Sequence, residues 1–220
     1  MKTLTIHGCE PINLNNGYSQ LVIEIPELFW QVQQFLIGNE GIEGAYTENY
    51  KVLKVKKEVV FIGDLASPRD YNNIFGKKIL AKLQFYCTDD SQMKLYQLQN
   101  ELKTIINQQI LNNNLPFSIS NEWVMPELFK YFKLSLLPPE NQSASGIIRY
   151  VIETAAQLGD DRLFVINDME RYLHNADHID IVNMINELHV NVLELKQNGI
   201  CPQNVNPQDF HLIDKDFVTF

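Results

Sequence analysis

Cysteine is scarce in this sequence, and what there is lies scattered. Cys9, Cys87 and Cys201 are odd in number and show no CxxC spacing. That argues against a disulfide framework or a thiolate zinc site and fits a reducing cytoplasm. No stretch approaches the roughly 18 uninterrupted apolar residues of a membrane span. The opening "MKTLTIHGCEPINL" alternates like a strand instead of leading from charge into an apolar run, so neither export nor membrane insertion is expected. Positive charge is also short: 18 Lys and Arg stand against 27 Asp and Glu, a net charge of −9. This is the wrong sign for a protein that coats nucleic acid with its whole surface, so any such contact needs a local basic patch.

Catalytic motifs are missing as well. The segment "DRLFVINDMERYL" resembles the strand of a P-loop nucleotide hydrolase that delivers an Asp, here Asp168, toward magnesium. The matching GxxxxGK followed by Ser or Thr is not found. Gly76-Lys77 is the only Gly-Lys pair; Tyr71 stands where the first glycine should, Lys78 replaces the hydroxyl residue, and a dozen residues separate the pair from "VVFIG". No nucleotide site is expected. There is no GxSxG elbow, and the carboxylates are dispersed. His174, Asp177 and His178 could be drawn as a metal site with imidazoles four apart, but the simpler reading is a helix start carrying solvated histidines. A non-enzyme is expected.

What is present is an α/β rhythm with a helical interruption. Up to about residue 66, "TLTIHG", "SQLVIEI", "KVLKV" and "EVVFIGDL" read as strands, with one helix over "PELFWQVQQFLIGNEG" started by Pro26 and closed by Gly38. Two long helical segments follow, 74–87 and 91–113, with Asp90 or Ser91 as a cap between them. In the second, Leu95, Leu98, Leu102 and Ile105 alternate three and four apart, a seam for a neighbouring helix. A short helix in "NEWVMPELFKYF" precedes a return to alternation: strand "KLSLL", helix "SGIIRYVIETAAQL", strand "RLFVIND", helix "HIDIVNMINELH", strand "NVLELKQ" and a closing strand in "DFHLIDKDFVTF". The fold class is therefore α/β, with a mixed, largely parallel sheet covered on both faces. The expected organisation is an α/β head of residues 1–72 and 133–220 with an inserted α-helical domain, 73–132.

Two basic clusters stand out. Lys51, Lys54, Lys56 and Lys57 lie in "KVLKVKKE", where a strand would put Lys54 and Lys56 on one face and Lys51 and Lys57 on the other. An edge strand protected by lysine explains them as well as a phosphate-binding stripe does. Lys77, Lys78 and Lys82 open the helical zone, and Lys78 and Lys82 share a helix face.

The order "EPINL..G...LVIEI", "VVFIGDL" before long helices, "PELFKYFKLSL", "RLFVIND", "NVLELKQ" and "DFHLIDKDFVTF" resembles the short form of the CRISPR-associated adaptation proteins of type II-A systems across nearly the whole chain. The resemblance implies a head similar to P-loop ATPases but lacking a phosphate loop, a helical leg, and a homotetrameric ring. Lysines in the ring's hole would hold the ends of linear double-stranded DNA during spacer acquisition, alongside other CRISPR adaptation proteins and the type II RNA-guided nuclease. The alternative is a protein-interaction scaffold with no DNA binding of its own. Lys51, Lys54, Lys56, Lys57, Lys77 and Lys78 are the candidate DNA-binding residues, chosen by local charge. The resemblance also implies calcium, held by acidic residues after the long leg helix. Here that stretch reads "LNNNLPFSISNEW", with Glu122 its only carboxylate. Calcium needs several oxygen ligands, so weak binding or none is expected unless Asn side chains, carbonyls, or Asp89 and Asp90 of another subunit complete the set.

Overall fold

A computed structural model describes residues 2–39, 41, 43–199 and 205–219. Cys201 lies outside them; Cys9 and Cys87 are free thiols. The chain divides into two compact units, one of residues 1–70 with 138–220 and one of residues 71–137.

The first unit is built on a wholly parallel five-stranded sheet. Its strands are β3 (Tyr18–Ile23), β6 (Val59–Gly63), β7 (Leu163–Asn167), β8 (Val192–Lys196) and β9 (Phe210–Ile213), in the spatial order β6-β7-β8-β3-β9. Near-continuous apolar runs such as Leu163 to Ile166 form these strands because both faces of a parallel sheet are covered. One face buries Leu21, Ile23, Leu163, Val165, Leu193 and Leu195 against helix α1 (Pro26–Ile37) and a second, antiparallel sheet. That sheet has the order β2-β1-β4-β5, from β1 (Lys2–Ile6), β2 (Ile12–Leu14), β4 (Gly44–Glu48) and β5 (Lys51–Val52). The opposite face carries Phe164, Ile166 and Val192, and the unit's other two long helices, α6 (Ala144–Leu158) and α7 (Asn175–Leu188), pack together and bury Ile148, Val151, Ile152, Ile181, Val182 and Ile185. Instead of one mixed sheet, parallel and antiparallel pairing are thus segregated into two.

Helix boundaries follow local chemistry. Pro26 occupies the first turn of α1, and Gly38 closes it at φ 89° in the left-handed region that glycine adopts most cheaply. Ser143 caps α6 by accepting from the Gly146 N–H at 3.1 Å.

Two expected strands differ. "KVLKV" pairs only through Lys51 and Val52; from Val55 to Glu58 the chain makes one helical turn, α2, with the Lys57 and Glu58 N–H groups donating to the Lys54 carbonyl at 2.8 and 3.1 Å. "KLSLL" is not a strand: Lys133 is left-handed at φ 49°, and the two prolines after Leu137 offer no ladder donors.

The second unit contains α3 (Tyr71–Tyr86), α4 (Asp89–Asn112) and α5 (Met125–Tyr131). Its small core is Phe75 with Met125 and Phe129, where α3 meets α5. Thr88, not Asp90 or Ser91, caps α4, its hydroxyl accepting from the Ser91 N–H at 3.3 Å. The seam on α4 has no partner within the described chain: Leu98, Leu102 and Ile105 are 55, 56 and 57 % exposed.

Candidate nucleic-acid interface

Charge is distributed unevenly between the two units. Residues 71–137 hold seven lysines and five carboxylates, a net +2, which leaves −11 for the rest of a chain whose total is −9. Each unit gathers lysines at a concave surface.

In the first unit, the Asn49-Tyr50 turn has positive φ at both residues, 48° and 66°, as a two-residue hairpin requires. This hairpin sets Lys51 directly across from Glu48. Lys51 thus lies opposite Glu48 in the ladder and outside the lining of the concavity formed by the other three. The α2 turn instead brings Lys54, Lys56 and Lys57 to a concavity of about 540 Å³ beside Gly38, Asn39 and Phe35. Lys56 lies over Gly38, so close that a Cβ there would come within 2.6 Å of its Cγ. The end of α1 presents carbonyls, which favour these ammonium groups and oppose an incoming anion.

In the second unit, Lys77 of α3 meets Lys130 of α5 and Lys133 just beyond it in a cleft of about 350 Å³. Asn72, Asn73 and Gly76 line its wall, and Ile79, Leu80, Phe129 and Leu134 its apolar surface, with no carboxylate among the lining residues. Lys78 lies outside that lining, and Lys82 sits over the Tyr86 ring at 5.4 Å. Lys130 and Lys133 are absent from the candidates chosen by local charge. Their signal in the sequence is their closeness in "FKYFK", at the end of the short helix read there.

The residues of the ATPase-like frame serve a different arrangement. Asp168 follows β7 in the left-handed region, φ 42°, with its carboxyl pushed up by burial. The counterpart of a phosphate loop would follow β3, the first strand of the parallel sheet in chain order. There only Glu24 and Ile25 separate the strand from α1, too few to wrap a phosphate. Next to Asp168, Glu194 is fully buried. It accepts from the Tyr18 hydroxyl, from Gln20 Nε2 at 3.0 Å and from the Met169 N–H at 2.6 Å, and lies 3.3 Å from His178 Nε2. Although desolvation opposes it, His178, the Tyr18 hydroxyl and the nearby Lys196 hold the carboxyl below its usual range. His178 is thus a buried partner of Glu194, not a solvated residue, whereas His174 is exposed.

Around Glu122 the donor set does not fit calcium. The Glu122 carbonyl accepts from Lys103 Nζ at 3.0 Å, and no second carboxylate stands in the stretch. Trp123 packs edge-on against Tyr96 of α4 at 5.6 Å. Among the described residues, no group of three His, Cys, Asp or Glu side chains could hold a metal.

The family model for CRISPR-associated protein (Cas_Csn2) matches residues 38–217. The chain belongs to that family. Membership makes it a CRISPR-associated protein with a role in adaptation alongside other Cas proteins. The fold of Stu0660 of Streptococcus thermophilus, known from a crystal structure, is similar with a TM-score of 0.58 at 15% sequence identity, over 96% of this chain and 74% of that one. No curated protein sequence matches the chain. The type II-A adaptation family inferred from the order of sequence elements is thereby established, as is the α/β fold. No helix among the described residues is long and apolar enough to cross a membrane.

Proposed function

We propose that this Cas_Csn2 family member is a non-catalytic DNA-end-binding protein that assembles as a homotetrameric ring and holds linear double-stranded DNA during spacer acquisition. The observation behind this reading is the segregation of lysine on an acidic chain. Lys54, Lys56 and Lys57 in one unit, and Lys77, Lys130 and Lys133 in the other, line concavities with no carboxylate among the described lining residues. Such clusters bind phosphate backbones with little sequence preference, and the bulk negative charge suppresses indiscriminate coating. Self-association is supported by α4, whose apolar seam has no cover within the described chain.

The same seam favours a second reading, in which α4 docks other CRISPR adaptation proteins or the RNA-guided nuclease and DNA is held by those partners. Light scattering on the purified chain, followed by anisotropy with a labelled linear duplex, separates the two. The ring reading expects a tetramer mass and duplex binding that is weakened by changing Lys54, Lys56, Lys57, Lys77, Lys130 and Lys133 to Gln. A monomer with no duplex affinity would leave only the scaffold.

A further inference from the structure

We propose that the α3–α5 cleft is a pocket for a terminal phosphate monoester of a nucleic-acid strand. The proposal deepens the DNA-end reading and rests on it for the identity of the strand. Its basis is the cleft itself. Three exposed lysines, Lys77, Lys130 and Lys133, share a lining that contains no carboxylate, and among the described residues none of the three is engaged in an ion pair. Cationic side chains around one cleft without a counter-charge make it locally electropositive, and an anion is attracted there.

Two features select a strand end over the continuous backbone. At about 350 Å³ the cleft lies near the lower limit of small-molecule pockets, with space for a nucleotide-sized group and none for a duplex. A terminal monoester carries about −1.5 to −2 charges at neutral pH because its second pKa is near 6, whereas an internal diester carries a single charge. Three lysines match the former. Beyond them, Ile79, Leu80, Phe129 and Leu134 offer an apolar surface on which the terminal sugar or base can rest, and the Asn72 and Asn73 side chains line the rim. The lysine concavity of the first unit differs on this point. It lies at the carbonyl end of α1, where the helix dipole disfavours a concentrated negative charge, so it suits at most diffuse contact with a backbone.

The test uses the full chain and three thymidine dinucleotides: one with a 5′-phosphate, one with a 3′-phosphate and one with neither. Calorimetry is expected to show at least one phosphorylated form binding about tenfold or more tightly than the unphosphorylated one, as gained charged hydrogen bonds imply; the preferred form identifies which end enters. Changing Lys77, Lys130 and Lys133 to Gln should remove that preference, whereas Lys54→Gln, Lys56→Gln and Lys57→Gln should keep it, with thermal melts confirming that both variants fold. Equal binding of all three dinucleotides, or a preference that survives removal of the cleft lysines, would overturn the proposal. A companion measurement with linear duplex separates the two levels. If dephosphorylated duplex binds as well as phosphorylated duplex, the cleft assignment falls and end binding stands. If no duplex binds while a phosphorylated dinucleotide does, the DNA-end function falls and the pocket stands.

Discussion

Glu194→Leu should remove a large share of the first unit's stability. Three hydrogen-bond donors, the Tyr18 hydroxyl, Gln20 Nε2 and the Met169 N–H, point at this carboxylate, and His178 Nε2 lies within 3.3 Å. A buried donor left unpaired costs about 1–3 kcal/mol, and the new leucine recovers about 1.5–3 kcal/mol by its own burial. Partial rearrangement of Gln20 and Tyr18 will recover more, so a net loss of about 3–5 kcal/mol is expected, the range found when one member of a buried charged group is removed. Glu194→Gln keeps the volume and one acceptor oxygen and should lose about half as much. Urea unfolding at neutral pH, followed by circular dichroism, reads both. The folded carboxyl is held below its usual range, so between the two pKa values the unfolded chain binds more protons and stability rises with pH. The Glu194 contribution is therefore complete above the unfolded value of about 4.3 and is lost as pH falls through the lower folded value. The wild-type protein should consequently lose stability on acidification more steeply than Glu194→Gln. A Glu194→Leu protein within about 1 kcal/mol of wild type, or one with unchanged acid sensitivity, would mean that the buried carboxylate does not anchor its donors.

Other outcomes follow from individual interactions. Ser143→Ala removes the cap of α6 and should cost about 1 kcal/mol in thermal unfolding, whereas Ser143→Asp should restore it. Gly38→Ala places a methyl group against Lys56 on a left-handed residue and should cost more than about 1 kcal/mol, read in the same assay. Leu102→Asp with Ile105→Asp should lower the mass seen by light scattering without lowering the melting temperature of the monomer, because both residues are exposed within the chain. Asp168→Gly should preserve duplex binding and relieve backbone strain at φ 42°, with the gain visible as a small rise in unfolding midpoint.

Part of this structure can be read from the chain for physical reasons that can be named. Leu163 to Ile166 read as a buried strand because a parallel strand has no solvent face to demand polar residues. Pro26 and Gly38 bracket α1 because each has a backbone preference that a helix end satisfies. Glu194 is hidden because a carboxylate within "NVLELKQ" looks solvated. Its burial depends on Tyr18, 176 residues away in sequence, and on His178, which looks like a surface residue for the same reason. Lys54 is misplaced because "KVLKV" is a short run rich in β-branched residues, as a strand would be, yet two hydrogen bonds to its carbonyl turn the chain into a helix instead. The α3–α5 cleft joins Lys77 to Lys130 and Lys133 across more than fifty residues, and clustering by local sequence cannot see such a pairing.

DNA-end binding by the lysine clusters is best tested by competition between a linear duplex and a covalently closed circle of the same sequence, repeated over a series of salt concentrations. The linear form should be retained and the circle should not. Log K should fall linearly with log salt, and Lys77→Gln, Lys130→Gln and Lys133→Gln should each reduce the slope by about 0.9 for every phosphate no longer neutralised. Equal retention of circle and linear duplex would rule out an end-binding role, and linear-selective binding that ignores salt and every clustered lysine would rule out the lysine clusters as its basis.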